Sequence, residues 1–354
     1  MIKSKMNGQV LYGIKDLRYE QIDIPEIKED EVLVKVMAAG ICGSDVPRTF
    51  QTGAHRHPIV LGHEFSGMVV AVGEKVSSDW LHKAVGIFPL LPCKECNPCR
   101  KKEYEMCRNY NYLGSRCHGG FAEYVAVPVW NLIELPKEVS YEAAAMLEPM
   151  AVAVHAMRKV RPKKNETVVV CGQGTIGLLL VMFLMDLGVS KILIVGNKES
   201  QKRYAGNLGI ESHAFCNSQK MDAASWIMEQ TGGLGPDVFF DCVGKNETLQ
   251  LAVDTTAAAG RVMLVGNPYS NISLKKDVYW KILRNQLTLY GTWNSSFTGE
   301  KEDDWNYVLD CLQRGAISPE KLITHRMRLE QLQEGLTIMK KKKEDYIKIM
   351  IVNQ

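Results

Sequence analysis

The apolar positions of this chain fall into two regimes. Val32–Ala38, Phe65–Val72 and Phe121–Val127 are short runs rich in branched residues and bounded by glycine or charge, and they predict strands of a β-rich domain. Around Val168 the pattern changes to strand, glycine turn, long apolar helix and strand, with further strands predicted at Ile192–Val195, Val238–Asp241 and Val262–Val265 after Val168–Val170. Strands alternating with helix-length segments predict a parallel doubly wound sheet, so the fold class is α/β. Beyond about Thr292 the mixed pattern returns, with an amphipathic helix carrying Leu329, Leu332, Leu336 and Met339 and then a strand over Tyr346–Val352. There is no internal repeat and no low-complexity tract. The simplest organisation is a doubly wound domain over 153–293 inserted into a β-rich domain made of 1–152 and 294–354.

Composition narrows the function. At 354 residues, 46% hydrophobic, the chain is long enough for two packed cores. With 43 basic and 40 acidic residues, net charge is only +3, which argues against a nucleic-acid or anionic-membrane partner and for a small molecule. The longest apolar stretch, Ile176–Met185, is too short for a bilayer, and Met1–Met6 lacks the apolar run of a signal peptide, so a cytoplasmic location is expected. Lys340–Lys343 reads as a solvated helix end. Cys117, Cys171, Cys216, Cys242 and Cys311 have no ligand spacing and are expected as buried free thiols.

Four of the ten cysteines are different. Cys93, Cys96, Cys99 and Cys107 lie within fifteen residues, in a lobe spanning about 90–110, and a Cys-x2-Cys-x2-Cys run folded back on a later Cys can surround one tetrahedral zinc or an iron–sulfur cluster. Such a closed site is structural. Cys42 in Cys-Gly-Ser-Asp45 and the Gly62-His63-Glu64 triplet offer a second, mixed donor set that can keep a position open. Each residue alone also has an ordinary structural reading, as a buried thiol or a core imidazole. Their co-occurrence with the thiolate lobe favours a second metal.

Gly172-Gln-Gly174-Thr175-Ile176-Gly177 follows a predicted strand and opens the apolar helix Leu178–Leu187. In that setting the glycines provide a tight turn, close backbone approach to a pyrophosphate and close helix packing, and the helix N-terminus faces the phosphates. About twenty residues on, where an acid ordinarily holds the ribose 2′-hydroxyl, stand Gly196, Asn197 and Lys198. Without a repelling carboxylate, and with Lys198, Lys202 and Arg203 nearby, the expectation is NADP(H) over NAD(H), unless Glu199 or Asn197 substitutes for the acid.

Cys42-Gly-Ser-Asp45, Gly62-His-Glu64, the four-cysteine lobe, Gly119-Gly-Phe-Ala-Glu-Tyr124, Glu148-Pro149 and Gly172–Gly177, in this order, resemble the zinc-dependent medium-chain dehydrogenases of the polyol, sorbitol-type branch. Cys42–Phe50, Gly53-Ala-His55, Leu90–Cys93 and Gly114-Ser-Arg116 further resemble the galactitol-phosphate dehydrogenases within it. The resemblance implies a GroES-like catalytic domain, a Rossmann domain, two zinc ions per subunit and a homodimer or homotetramer. It implies a catalytic zinc at Cys42, His63 and Glu148, with Glu64 as a fourth ligand or a neighbour, and a structural zinc at Cys93, Cys96, Cys99 and Cys107. The implied reaction is oxidation of a secondary alcohol of a polyol or polyol phosphate, with galactitol 1-phosphate to tagatose 6-phosphate leading and sorbitol, xylitol, threonine or butanediol open.

Roles follow from that chemistry. Ser44 is the candidate proton relay, with His55 or His57 as exit, and Asp45 orients His63 or an arginine. Arg48 and Arg116 are candidates to clasp a substrate phosphate. Two other classes compete: a metal-free reductase of quinones or activated alkenes, and a non-catalytic zinc-stabilised nucleotide sensor. The open-site ligands and Ser44 weigh against both.

Overall fold

A computed structural model describes residues 4–353, so the reading of Met1–Met6 falls in part outside the described residues. The chain divides into two compact units, one running to Glu148 and resuming at Ser296, the other Pro149–Ser295.

In the first unit the strand Glu31–Gly40 is the hub. It pairs antiparallel with Glu64–Val72 along one edge, and along the other with Tyr124–Pro128 through Glu31–Lys35 and with Lys348–Val352 through Ala38–Gly40. Lys348–Val352 then pairs in parallel with Ile323–Met327. Val32, Val34 and Val36 alternate onto one face of this strand and are fully buried there, sharing a core with Phe65, Phe121, Leu332 and Leu336. A three-stranded sheet of Lys5–Gly13, Asp16–Asp23 and Ile59–Val60 completes the β-rich layer.

Several boundaries in this unit differ from expectation. The strand expected at Phe121–Val127 starts at Tyr124, since Phe121 bonds Leu61 and Gln9 instead, and Ala122 bridges to Gly8. Leu329 lies in a 3-10 turn preceding the helix Leu332–Lys341. The last strand starts at Lys348, because Ile347 N–H donates to the Thr324 hydroxyl and Tyr346 OH to Met339 O.

The second unit is a six-stranded all-parallel sheet in the order Phe215–Asn217, Lys191–Gly196, Thr167–Cys171, Val238–Asp241, Arg261–Leu264, Thr288–Gly291. This is the doubly wound dinucleotide-binding order. Strands covered on both faces need near-continuous apolar runs, which Val168–Val170 and Val238–Phe240 supply at full burial. The helix Thr175–Asp186 buries every residue from Gly177 to Leu184 and ends before Gly188, whose φ of +81° suits a left-handed terminator.

Candidate functional site

Two clusters of metal-ligating side chains stand out among the described residues, and both lie in the first unit. In the first, the sulfurs of Cys93, Cys96, Cys99 and Cys107 all lie within 4.8 Å of one another, and each of Cys93 and Cys96 stands 3.5–4.0 Å from both Cys99 and Cys107. A tetrahedron with arms of about 2.3 Å has edges of roughly 3.8 Å, whereas a disulfide brings sulfurs to about 2.0 Å. All four thiols are free, and their spacing is that of ligands around one ion. The short helix Asn97–Arg100 and the 3-10 turn Tyr104–Met106 bring Cys107 back over Cys93. Backbone N–H groups of Arg108 and Cys99 lower the Cys96 pKa to about 6, while burial raises that of Cys99 to about 12. Four thiolates in so small a volume require a cation. The lobe is anchored through Lys94 and Tyr104 on the Trp130 ring, which packs in turn against Phe297.

The second cluster gathers Cys42, His63 and Glu64, with one donor atom from each within 4.8 Å of the others. The register explains the meeting: Gly40 pairs with Glu64, so the residues just beyond one strand end and just before its neighbour share a corner of the sheet. Asp45, fully buried, accepts the Cys42 N–H at 3.0 Å and lies 3.6 Å from His63 Nδ1 and 3.2 Å from Arg48 Nη1. Ser44 Oγ donates to Cys42 Sγ at 3.2 Å and accepts from Arg48 Nη1 at 2.7 Å. Glu148 is outside the converging trio. It accepts a hydrogen bond from Tyr112 OH at 3.1 Å, and the Tyr112 ring meets His63 edge-on at 5.8 Å.

The electrostatics of this corner call for positive charge. Burial, reinforced by Glu64 and Asp45, raises the Cys42 thiol pKa to about 12, and burial also raises the Glu148 carboxyl. His63 Nδ1 is buried without a hydrogen-bond partner. Thiol, imidazole and carboxylate in a buried, acid-rich setting match the donor chemistry of zinc.

Sequence reasoning missed two participants. Lys348, buried in the last strand, forms an ion pair with Glu64 and donates to Ile41 O at 3.2 Å. Gly40 makes room for that pair, since a Cβ there would overlap Glu64 Oε2 and Lys348 Cε. The available signal was one lysine opening the apolar run Lys348-Ile-Met-Ile-Val352; nothing in the sequence singles out Tyr112. The histidines separate clearly. His57 is a loop pin, bonded through Nδ1 to Leu11 O and through Nε2 to Ala54 N–H, so both ring nitrogens are engaged. His55 is exposed, with its pKa lowered by partial burial and by Arg116 and Arg48. Arg116 stacks over Tyr110 at 4.3 Å.

In the second unit the glycine loop has the expected form. Gly172 sits at φ +96°, and a Cβ on Gly177 would collide with Gly172 O. Gly174 stands at the N-terminus of the helix Thr175–Asp186, where a Cβ would meet no protein atom within 4 Å, leaving the backbone open to a ligand. Thr175, Ile176 and Gly177 form the first turn of that helix, earlier than the predicted start at Leu178. Gly196 closes the second strand and Asn197 and Lys198 follow it. The Glu199 carboxyl is held low by Lys220 and Asn217, which occupy it.

Comparison with known proteins agrees with this arrangement. The alcohol dehydrogenase GroES-like domain family matches residues 28–137, and the zinc-binding dehydrogenase family matches 175–314. The chain is 35% identical over 321 residues to galactitol 1-phosphate 5-dehydrogenase of Escherichia coli K12, covering 90% of this chain and 92% of that one. It is 32% identical over 339 residues to sorbitol dehydrogenase of Bombyx mori, covering 94% of each. A Sinorhizobium meliloti protein assigned as a zinc-binding dehydrogenase and bound to NADP superposes with a TM-score of 0.91 at 26% identity, covering 99% of this chain and all of that one.

Proposed function

This chain belongs to the zinc-dependent medium-chain dehydrogenases, and on that premise we propose that it oxidises a secondary alcohol of a polyol phosphate to the ketone, galactitol 1-phosphate to tagatose 6-phosphate foremost, with hydride passing to NAD(P). The observation that carries the reading is the convergence of Cys42, His63 and Glu64 beside Glu148 in a buried, acid-rich corner. We place Cys42, His63 and Glu148 as ligands of the catalytic zinc. Glu64 is the neighbouring carboxylate whose charge Lys348 balances. The four-cysteine lobe takes the structural zinc.

When bound, zinc supplies a Lewis acid able to bring an oxygen's pKa to about 7, and the nicotinamide supplies the hydride acceptor. The protein's own part is positioning and proton transfer. Ser44 Oγ lies between Cys42 and Arg48; as a relay it would take the substrate proton on its oxygen while releasing its own to an acceptor further out, a role the always-protonated Arg48 cannot fill. His57 is unsuited as the exit because both nitrogens are engaged. That leaves His55, on which Arg48 and Arg116 both act. Asp45 holds Cys42 and Arg48 together and stands 3.6 Å from His63 Nδ1.

The neighbourhood of Arg48, Arg116 and His55 supports a phosphorylated substrate, because both guanidiniums act on the His55 imidazole and a guanidinium can clasp a phosphate. A second reading, an unphosphorylated sorbitol-type polyol, is favoured by Arg48 being already paired with Asp45. For the cofactor we favour NADP(H): Gly196 brings no carboxylate, and Glu199 is engaged elsewhere. Ten free thiols suit a reducing, cytoplasmic setting, and among the described residues no helix is long and apolar enough to cross a membrane. We also read the protein as a homo-oligomer. Thr288–Gly291 is an edge strand carrying Leu289, and Tyr279, Trp280, Leu283, Leu289 and Trp293 are 36–55% exposed.

The decisive experiment assays a panel of polyols and polyol phosphates with both cofactors and counts zinc per subunit. Turnover of galactitol 1-phosphate well above sorbitol is expected. Full activity with a single zinc confined to the cysteine lobe would refute the catalytic site.

A further inference from the structure

The end of the second strand in the dinucleotide-binding unit is shaped by residues that the glycine motif does not include. Gly196 is buried, and its backbone has no positive φ that would call for glycine. Its missing side chain has a steric cause: a Cβ there would stand 2.7 Å from Gln201 Oε1, 2.7 Å from Phe215 Cζ and 3.1 Å from Phe215 Cε2. Neither obstacle moves freely. Phe215 is 6% exposed and opens the neighbouring strand, where it pairs with Ile194. Gln201, on the helix Glu199–Asn207, is held by the Asn197 N–H, which donates to its Oε1 at 2.8 Å. Ser218 closes the other side, donating through N–H and Oγ to Gly196 O at 2.9 and 3.0 Å.

In this fold the side chain at the end of the second strand takes the ribose 2′-hydroxyl, and a carboxylate there excludes a 2′-phosphate. Here that volume is filled from the helix by a carboxamide. We propose that Gln201 is the residue that sets cofactor specificity in this protein, standing where the ribose-binding acid would be and, being neutral, admitting a 2′-phosphate. Its oxygen is used to hold Asn197. Its amide nitrogen has no hydrogen-bond acceptor among the described residues and presents N–H donors, which suit a phosphate or a hydroxyl equally. Gly196 is then a consequence of Gln201 and Phe215 rather than an independent choice, and restoring an acid at Gly196 alone would break the Gln201–Asn197 contact without creating a ribose site.

The inference rests on the dinucleotide role proposed above, and the test separates the two. Dissociation constants for NADH and NADPH are measured without substrate, from the fluorescence of the reduced nicotinamide, on the zinc-loaded protein. Gln201→Glu keeps the shape and the acceptor for Asn197 while adding a negative charge. It is expected to weaken NADPH at least tenfold and to change NADH by less than threefold. Gly196→Ala, which pushes on Gln201 and Phe215 without adding charge, is expected to weaken both cofactors by a similar factor. Equal effects of Gln201→Glu on the two cofactors, or none, would overturn the assignment, as would a Gly196→Ala protein that binds both normally. A wild-type protein that prefers NADH would refute the NADP(H) preference, yet a selective NADPH loss in Gln201→Glu would still uphold the role of Gln201.

Discussion

Replacing Lys348 with Met should expose how much the metal corner depends on a residue from the far end of the chain. Lys348 and Glu64 have side chains only 2–3% exposed, and the pair fills the space that a side chain at Gly40 would take. Methionine fills similar volume, so the main change is one lost charge. Removing one partner of a buried pair strands the other, at a cost of about 3–5 kcal/mol. At about 1.4 kcal/mol per decade, this is a shift of roughly 10²-fold to several thousandfold in the folding equilibrium. The loss should be smaller in zinc-saturated protein, because the ion supplies positive charge beside Glu64. Urea unfolding of K348M with zinc and with chelator, followed by fluorescence, measures both values. The double variant E64Q/K348M removes both charges and should recover most of the loss. A K348M protein destabilised by less than about 1 kcal/mol, or a double variant no better than the single, would refute the claim that Lys348 balances Glu64.

Four further outcomes are expected. Cys99→Ser should lower the zinc content from two ions to one per subunit and reduce thermal stability, which metal analysis and calorimetry check. Ser44→Ala should cut kcat by about 10²-fold or more with zinc retained, as steady-state kinetics with metal analysis would show. Arg48→Met should raise KM for a polyol phosphate by about tenfold or more, the scale of a lost charged hydrogen bond, and much less for the unphosphorylated analogue. Leu289→Lys, placing charge on the exposed edge strand, should shift the assembly toward single subunits in sedimentation velocity.

The sequence by itself determined the kind of each element and the kind of chemistry. Apolar runs flanked by glycine marked the parallel strands, because a strand covered on both faces has little choice of side chain. The glycine loop and the four-cysteine lobe were legible because local spacing alone places their atoms, within six residues in one case and fifteen in the other. Tertiary structure decided what depends on distant strands meeting. Lys348 reaches Glu64 only because the last strand docks on Glu31–Gly40, and Tyr112 reaches Glu148 across 36 positions with no periodicity to announce it. It also divided the two histidines that looked alike, engaging both nitrogens of His57 while leaving His55 near Arg48 and Arg116. At Gly196 the sequence showed that an acid was missing, whereas only packing showed that Gln201 and Phe215 had taken its space. Local spacing constrains atoms joined by a few rotatable bonds; which long-range pairs come together is fixed by burial and strand register, and those belong to the folded chain as a whole.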